Sequence, residues 1–278
     1  MKRITQAAVE TVVSLIALAI PGSAAHLGSA ARQSFDRYVA TVEARLARQH
    51  AIPDTYLAAL NGDPSLRADT INELRTGSSR IESVAGGIRE VPGGLLHHWR
   101  GDAFVPGAKA QDMQSLLRDY NRLALYYSPE VESSRALAEH AGTTTVAMRM
   151  VRQVVVTVVL DGEYDVQTQM TGTTRGYSVS RSAHIWEVDS PGTSRERRMP
   201  EGDDDGFLWR LNSYWSFVEL PDGLLIECEA VSLTRDVPGG LRWLAGPLVQ
   251  QLPRESLEFT LKATRNALAA KSRKDVHL

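Results

Sequence analysis

The spacing of apolar residues changes near Ser79, from the helical interval before it to every second residue after it. In the first section Phe35, Val39, Val42 and Leu46 stand at i, i+4, i+7 and i+11, which is one face of a helix, with Ser34 placed to cap its start. Pro53 ends that helix, and Leu57, Leu60, Leu66, Ile71 and Leu74 predict one or two further helical pieces before Gly77. Residues 26–77 hold too few apolar side chains for a core of their own. They are expected to pack on a main domain formed by residues 78–272.

In that domain Arg80 to Arg89 and Leu95 to Val105 flank Val91-Pro92-Gly93-Gly94 and read as a hairpin. Ala108 to Tyr127 reads as helical, with Met113, Leu116, Leu117, Tyr120, Leu123 and Leu125 on a broad apolar face. Four strands are predicted next, at Glu132–Glu139, Thr144–Gln153, Val154–Met170 with a break near Asp161-Gly162, and Tyr177–Val188. The run Val154 to Leu160 does not alternate, which predicts cover on both faces. Asp189 to Gly206 is a polar loop whose Asp203-Asp204-Asp205 lacks calcium-loop spacing and reads as solvated. The phrase Val-Pro-Gly-Gly-Leu occurs at Val91 and again at Val237. Nothing around the copies aligns, so both read as turns.

The segment Gly206 to Ala270 predicts two long antiparallel strands, 206–219 and 224–234, and a closing helix. Pro221-Asp222-Gly223 suits a three-residue loop with a left-handed glycine, which pairs Leu220 with Leu224. In that register Trp215 lies opposite Glu229 and Phe217 opposite Glu227, so both carboxylates share the tryptophan face. A two-residue loop shifts the pairing by one and puts Ile226, Cys228 and Ala230 beside the aromatics. The bulged register is the expectation. Pro253 suits the first turn of the closing helix. Leu257, Leu261, Thr264 and Leu268 form one stripe, and Phe259, Ala263 and Ala267 a second.

Composition narrows the function classes. The 278 residues carry 31 basic and 33 acidic side chains without a basic stripe, so nucleic acid is not an expected partner. Cys228 is the single cysteine, which rules out an internal disulfide and a Cys-based zinc site. Residues 1–25 have the form of an export signal: Lys2 and Arg3, the apolar run Thr11 to Ile20, then Pro21-Gly22-Ser23-Ala24-Ala25. They predict a periplasmic or secreted protein.

The order hairpin, helix, antiparallel strands, long final helix resembles the START-like, helix-grip superfamily, also known as SRPBCC. His97-His98-Trp99-Arg100-Gly101, Trp209-Arg210-Leu211-Asn212-Ser213-Tyr214-Trp215 and Glu227-Cys228-Glu229-Ala230 are similar to a group of exported bacterial START-like proteins without an assigned activity. The resemblance covers roughly residues 79 to 270. It implies an α+β fold, a curved antiparallel sheet wrapped on the C-terminal helix with a cavity between them. The superfamily includes lipid-transfer domains, plant pathogenesis-related allergens and polyketide cyclases. It has no invariant catalytic motif, so no functional residue carries over.

The residues themselves supply the candidate ligand site: His97, Trp99, Arg135, Trp209, Trp215, Glu227 and Glu229. Adjacent His97 and His98 point to opposite strand faces, so one is interior. Glu227 and Glu229 share a face and need partners if buried, for which Arg135, Arg149, Arg181 and Arg210 are available. The histidines lack metal-ligand spacing, and no G-x-S-x-G, phosphate-loop or dinucleotide fingerprint occurs. No metal, cofactor or catalytic residue is assigned, and Cys228 reads as a small buried hydrophobe. The leading expectation is a domain that binds a hydrophobic small molecule or lipid. The alternatives are an enzyme of cyclase, dehydratase or hydrolase type acting in the same cavity, and a non-catalytic interaction protein with a filled core.

Overall fold

The computed structural model describes residues 25–153, 157–236 and 242–275. The export segment expected at residues 1–25 therefore falls, but for its last residue, outside the described residues, as do Val154 to Val156 and the second Val-Pro-Gly-Gly-Leu turn. In chain order the elements are β1 (Ala25–His26), α1 (Ser29–His50), 3-10 turns at Pro53–Thr55 and Ala58–Leu60, α2 (Pro64–Arg75), β2 (Ser79–Val91), β3 (Gly94–Pro106) and α3 (Ala110–Leu117). A 3-10 turn at Tyr120–Arg122 and α4 (Leu123–Tyr127) come next. Then come β4 (Val131–His140), β5 (Thr143–Gln153), β6 (Thr157–Met170), β7 (Arg175–Asp189), β8 (Arg197–Arg198), β9 (Asp203–Asp204), β10 (Arg210–Leu220), β11 (Gly223–Arg235) and α5 (Arg242–Asp275).

Nine strands form one antiparallel sheet in the order β2-β3-β11-β10-β7-β6-β5-β4, with β8 added beside β7. Because successive residues alternate between faces, this sheet has two inner faces with different covers. On one, Leu257, Leu261 and Leu268 of α5 and Met113 and Leu116 of α3 pack with Ala103, Val105, Trp215, Phe217, Ile226 and Cys228. Gly101 sits at the closest approach, where a Cβ would collide with Leu261 and Ile81. On the other, Phe35, Val39, Val42 and Leu46 of α1 pack with Leu96, Tyr214, Val231 and Leu233. The expected α1 face is thus the one that is buried.

Local departures from the expectations have physical causes. Helix α1 begins at Ser29 with Gly28 as its N-cap, and Ser34 lies inside it, its hydroxyl donating to the Ala30 carbonyl at 2.8 Å. The stretch 108–127 is not one helix: it breaks at Arg118 and resumes through the 3-10 turn. Strand β6 runs on through Asp161-Gly162, and the irregularity falls just after, between Glu163 and Tyr164, where its pairing with β7 shifts register. Val158, Val159 and Leu160 are buried on both faces, in keeping with the missing alternation. Helix α5 starts at Arg242, so Pro253 is interior to it. Its stripe Leu257, Leu261, Thr264 and Leu268 is fully buried, whereas Phe259, Ala263 and Ala267 are half-buried. Asp204 is not solvated: it is buried, accepts from the Trp209 indole N–H at 2.8 Å and from Gly206 N–H at 2.9 Å, and pairs in β9 with Ala25 of β1.

The turn of the last hairpin differs most in consequence. Leu220 pairs with Gly223, Trp215 with Cys228 and Phe217 with Ile226, which is the two-residue register. Gly223 has φ 159°, close to extended, so it continues the strand instead of forming the left-handed bulge. Two anchors hold the shorter turn: the Arg75 guanidinium donates to both Asp222 carboxylate oxygens, at 2.7 and 2.9 Å, and Gly107 N–H donates to the Asp222 carbonyl at 2.9 Å. Glu227 and Glu229 therefore lie on the face opposite Trp215.

Candidate functional site

The face that receives α5 is built from rows of side chains running across the strands. One row is Ser178, Trp215, Cys228 and Gly101. The next is Val166, Ser180, Ser213, Ala230 and Trp99, and beyond it stand Ser232 and His97. The sheet is large and apolar at one end, with Trp215, Phe217 and Ile226, and again at the other, with Val158, Leu160, Tyr164 and Ile185. Between these ends it carries small side chains. Ser180, Ser213 and Ala230 remain half-buried rather than buried. A strip of small residues between two bulky clusters forms a shallow trough in the sheet's own side-chain layer; two pockets lie elsewhere, against α2 at Pro64, Arg75 and Leu220 and against α1 at Ser34, Tyr38 and Leu96.

Two nitrogens at the edge of this trough are buried without a hydrogen-bond partner: Nδ1 of His97 and Nε1 of Trp99. They belong to residues two apart on β3, hence to the same face. The other nitrogen of His97, Nε2, lies 3.0 Å from Thr234 Oγ1. Burial pulls the His97 pKa down to about 4, so the ring is neutral at neutral pH. Buried polar atoms are nearly always paired; these two are exceptions, each closed off from solvent by the surrounding protein.

The opposite face, under α1, holds the ionisable groups. Glu227 stands directly across from Asp102 and Glu229 from Arg100, and the three carboxylates are at most 1% exposed. Glu229 is paired with Arg45 of α1, accepts from His98 Nε2 at 2.6 Å, and has Arg100 at 3.9 Å. Despite the desolvation that burial imposes, His98, Arg45 and Arg100 hold its pKa below the usual carboxylate value. Glu227 accepts from Ala58 N–H at 2.7 Å and from the Gln49 amide at 3.4 Å. Burial raises Glu227 to about 8 and Asp102 to about 6; the neighbouring carboxylates add to each shift and Arg100 opposes it. Tyr38 of α1 lies 2.7 Å from His98 Nδ1, and His50 lies 2.8 Å from Ser216 between the rings of Tyr56 and Tyr177. These groups act as the polar seam that seats α1.

The residues expected to form one site are therefore divided. His97, Trp99 and Trp215 face α5. Glu227 and Glu229 lie under α1, and Trp209 packs there too, with Leu27, Ala31 and Leu96. Arg135 is exposed on β4, at the far end of the sheet from β3 and β11, and partners neither glutamate. Arg149 pairs with Asp161 and Glu196, Arg181 with Glu43, and Arg210 with Glu201. The true partners, Arg45 and Arg100, are hidden in the sequence for two reasons. Arg45 is remote along the chain, and Arg100 sits opposite Glu229 only in a strand pairing that no local pattern reveals. Ser180 and Ser213 are hidden as well, since a lone serine in a strand carries no signal until its neighbours are known.

A hairpin, a short helical connection, antiparallel strands and a long helix seated on one face of the sheet reproduce the order that the resemblance implied. The architecture is the α+β helix-grip arrangement. Among solved structures, the chain is similar to a STAR-related lipid transfer protein from Xanthomonas axonopodis: 22% identity, 68% of this chain and 98% of that one covered, TM-score 0.43. It is also similar to a START superfamily protein from Mycobacterium smegmatis, at 17% identity, 62% and 97% coverage and TM-score 0.42. A third is Zhui aromatase/cyclase from a Streptomyces species, at 17% identity, 65% and 96% coverage and TM-score 0.41. No family model matches the sequence, and neither does a curated protein.

Proposed function

We propose that this START-like chain binds a hydrophobic small molecule or lipid on the α5 face of the sheet, over the strip Ser180-Ser213-Ala230. The observation that carries the reading is the half-buried strip of small side chains on the face that α5 covers, between a bulky apolar cluster at either end. Apolar burial against the clusters at either end supplies most of the affinity, at about 25 cal/mol per Å² before the costs of ordering. Trp215 forms the floor on the closed side, next to Cys228 and Ser178.

A binding role fits the chemistry of His97 better than a catalytic one. A ring with a pKa near 4 is a weak base at neutral pH, poorly matched to proton abstraction. The acidic groups that could complete an acid–base pair, Glu227 and Glu229, lie on the other side of the sheet. We further propose, from the export signal read in residues 1–25, that this binding occurs in the periplasm or outside the cell; cell fractionation with amino-terminal sequencing of the mature protein tests it.

The test of binding is native mass spectrometry and lipid extraction of the purified chain, repeated on Ser213→Leu. The leucine is expected to fill the trough, abolish co-purified ligand and leave the thermal unfolding transition in place. A folded wild type that carries no extractable molecule and takes up no apolar probe ends the proposal.

A further inference from the structure

A groove of about 350 Å³ lies between α1, which contributes Ser34, Arg37, Tyr38 and Thr41, and the end of the β2–β3 hairpin, which contributes Arg89 and Leu96. Arg89 stands directly across from Leu96 in the pairing of β2 with β3, and Leu96 packs under α1, so Arg89 projects on the α1 side. Its guanidinium carbon is 5.1 Å from the centre of the Tyr38 ring. Arg37 enters from the helix, donating from Nε to the Gln33 carbonyl at 3.3 Å and from Nη2 to Ser34 Oγ at 3.5 Å. Among the described residues neither arginine forms an ion pair with a carboxylate, whereas Arg45, Arg100 and Arg181 each do. Glu90 also borders the groove. It is engaged in contacts of its own, and strand alternation puts its side chain on the face opposite Arg89.

The hydroxyls of the groove are already committed. Ser34 donates to the Ala30 carbonyl at 2.8 Å, Thr41 donates to the Arg37 carbonyl at 3.1 Å, and the Tyr38 hydroxyl is held by His98 Nδ1 at 2.7 Å. The side-chain donors left for a ligand are therefore guanidinium N–H groups, brought to one space by two different elements. A guanidinium fork matches paired oxygens on a carboxylate or a phosphate. A carboxylate has two oxygens, which one arginine satisfies. A phosphate monoester has three terminal oxygens and about two negative charges, enough to engage both arginines. We infer that the groove between α1 and the β2–β3 hairpin binds a phosphate group, free or esterified, through Arg37 and Arg89. The inference is independent of the trough under α5, because the groove lies on the other side of the sheet.

Isothermal titration calorimetry on the full chain with inorganic phosphate, dodecyl phosphate and dodecanoate tests this, beside flotation with phosphatidylcholine vesicles made with or without phosphatidic acid. A phosphate probe is expected to bind, and dodecyl phosphate to bind about tenfold more tightly than dodecanoate, the value of one further charge-assisted hydrogen bond. Arg37→Gln and Arg89→Gln are each expected to weaken phosphate binding about tenfold. Both side chains are exposed, so the thermal unfolding transition is expected to stay in place. Ser213→Leu, which fills the trough, is expected to leave phosphate binding unchanged. The probe that binds identifies the source: inorganic phosphate a soluble anion, dodecyl phosphate a single amphiphile, and phosphatidic acid vesicles without either of these a lipid surface. Dodecanoate binding as tightly as dodecyl phosphate, arginine variants that bind like the wild type, or no binding of any phosphate probe overturns the inference. None of those results bears on the trough, whose own test is the extraction experiment above.

Discussion

Asp102 and Glu227 face each other across β3 and β11 with burial raising both pKa values, and this sets a pH dependence of stability. A carboxyl group with a folded pKa above its unfolded value binds more protons in the folded state. Its contribution is complete below the unfolded pKa, about 4, and is lost as pH rises through the folded value. For Glu227 the loss extends to about pH 8. The buried histidines His50 and His97 work in the opposite sense. Their lowered pKa values add stability above the unfolded value of about 6.5 and lose it as pH falls toward 4. From pH 7 to 9 the histidines no longer contribute, and the loss comes from Glu227, with further shares from Glu187, raised by burial to about 7, and from the buried Cys228 thiol, whose pKa burial also raises. Urea unfolding of the wild type is expected to lose stability between pH 7 and 9, with Glu227 accounting for about 1.4 kcal/mol of the loss. In Glu227→Gln, whose amide oxygen still accepts from Ala58 N–H, that slope is expected to flatten; an unchanged slope would place the titrating group elsewhere.

At the scale of elements, periodicity locates nearly every strand and helix but fails on how two of them meet. Hairpin β10–β11 is legible from its alternation and its Pro-Asp-Gly, yet the turn admits two registers of similar local quality. Arg75 from α2 and Gly107 after β3 select between them by holding Asp222, and both are distant in sequence. Gly223 is the matching constraint on the strand. A Cβ there would collide with the Val105 carbonyl oxygen and crowd the Phe104 ring at 2.7 Å. Gly223→Ala is expected to lower stability by about 1–3 kcal/mol, the range for overpacking a filled position. Chemical denaturation measures it. A loss of only a few tenths would mean that the neighbouring strand yields easily. The site inherits the register: with the other turn, Glu227 and Glu229 would have lined the trough beside His97.

For the molecule as a whole, the side of β3, β11 and β10 away from α5 is covered by residues 26–77: α1 over Leu96, Tyr214, Val231 and Leu233, and the 3-10 turns with α2 over Phe104 and Leu225. Leu96, Phe104, Tyr214, Leu225, Val231 and Leu233 are buried on the side away from α5, together with three carboxylates and His98. Removing residues 26–77 would open that apolar surface and strand Glu229 without Arg45. A chain lacking them is expected to bind the apolar dye ANS and to aggregate, read by fluorescence and light scattering. A monomeric, dye-free product would show that the outer face tolerates water.

The sequence by itself determined the α+β class, the positions of most strands, the buried stripe of α1 and the stripe of α5, because periodicity is written locally in which side chains a helix or strand must bury. It also put forward His97, Trp99, Arg135, Trp209, Trp215, Glu227 and Glu229 as candidate ligand contacts. Only the tertiary structure decided which side of the sheet each one serves. Side-chain direction in a strand reverses with every residue, so a shift of one in a single turn exchanges the two faces. That shift was decided by contacts from α2 and the end of β3, which no local pattern contains. Trp99 and Trp215 stand on one side of the sheet and the two glutamates on the other, divided by its thickness.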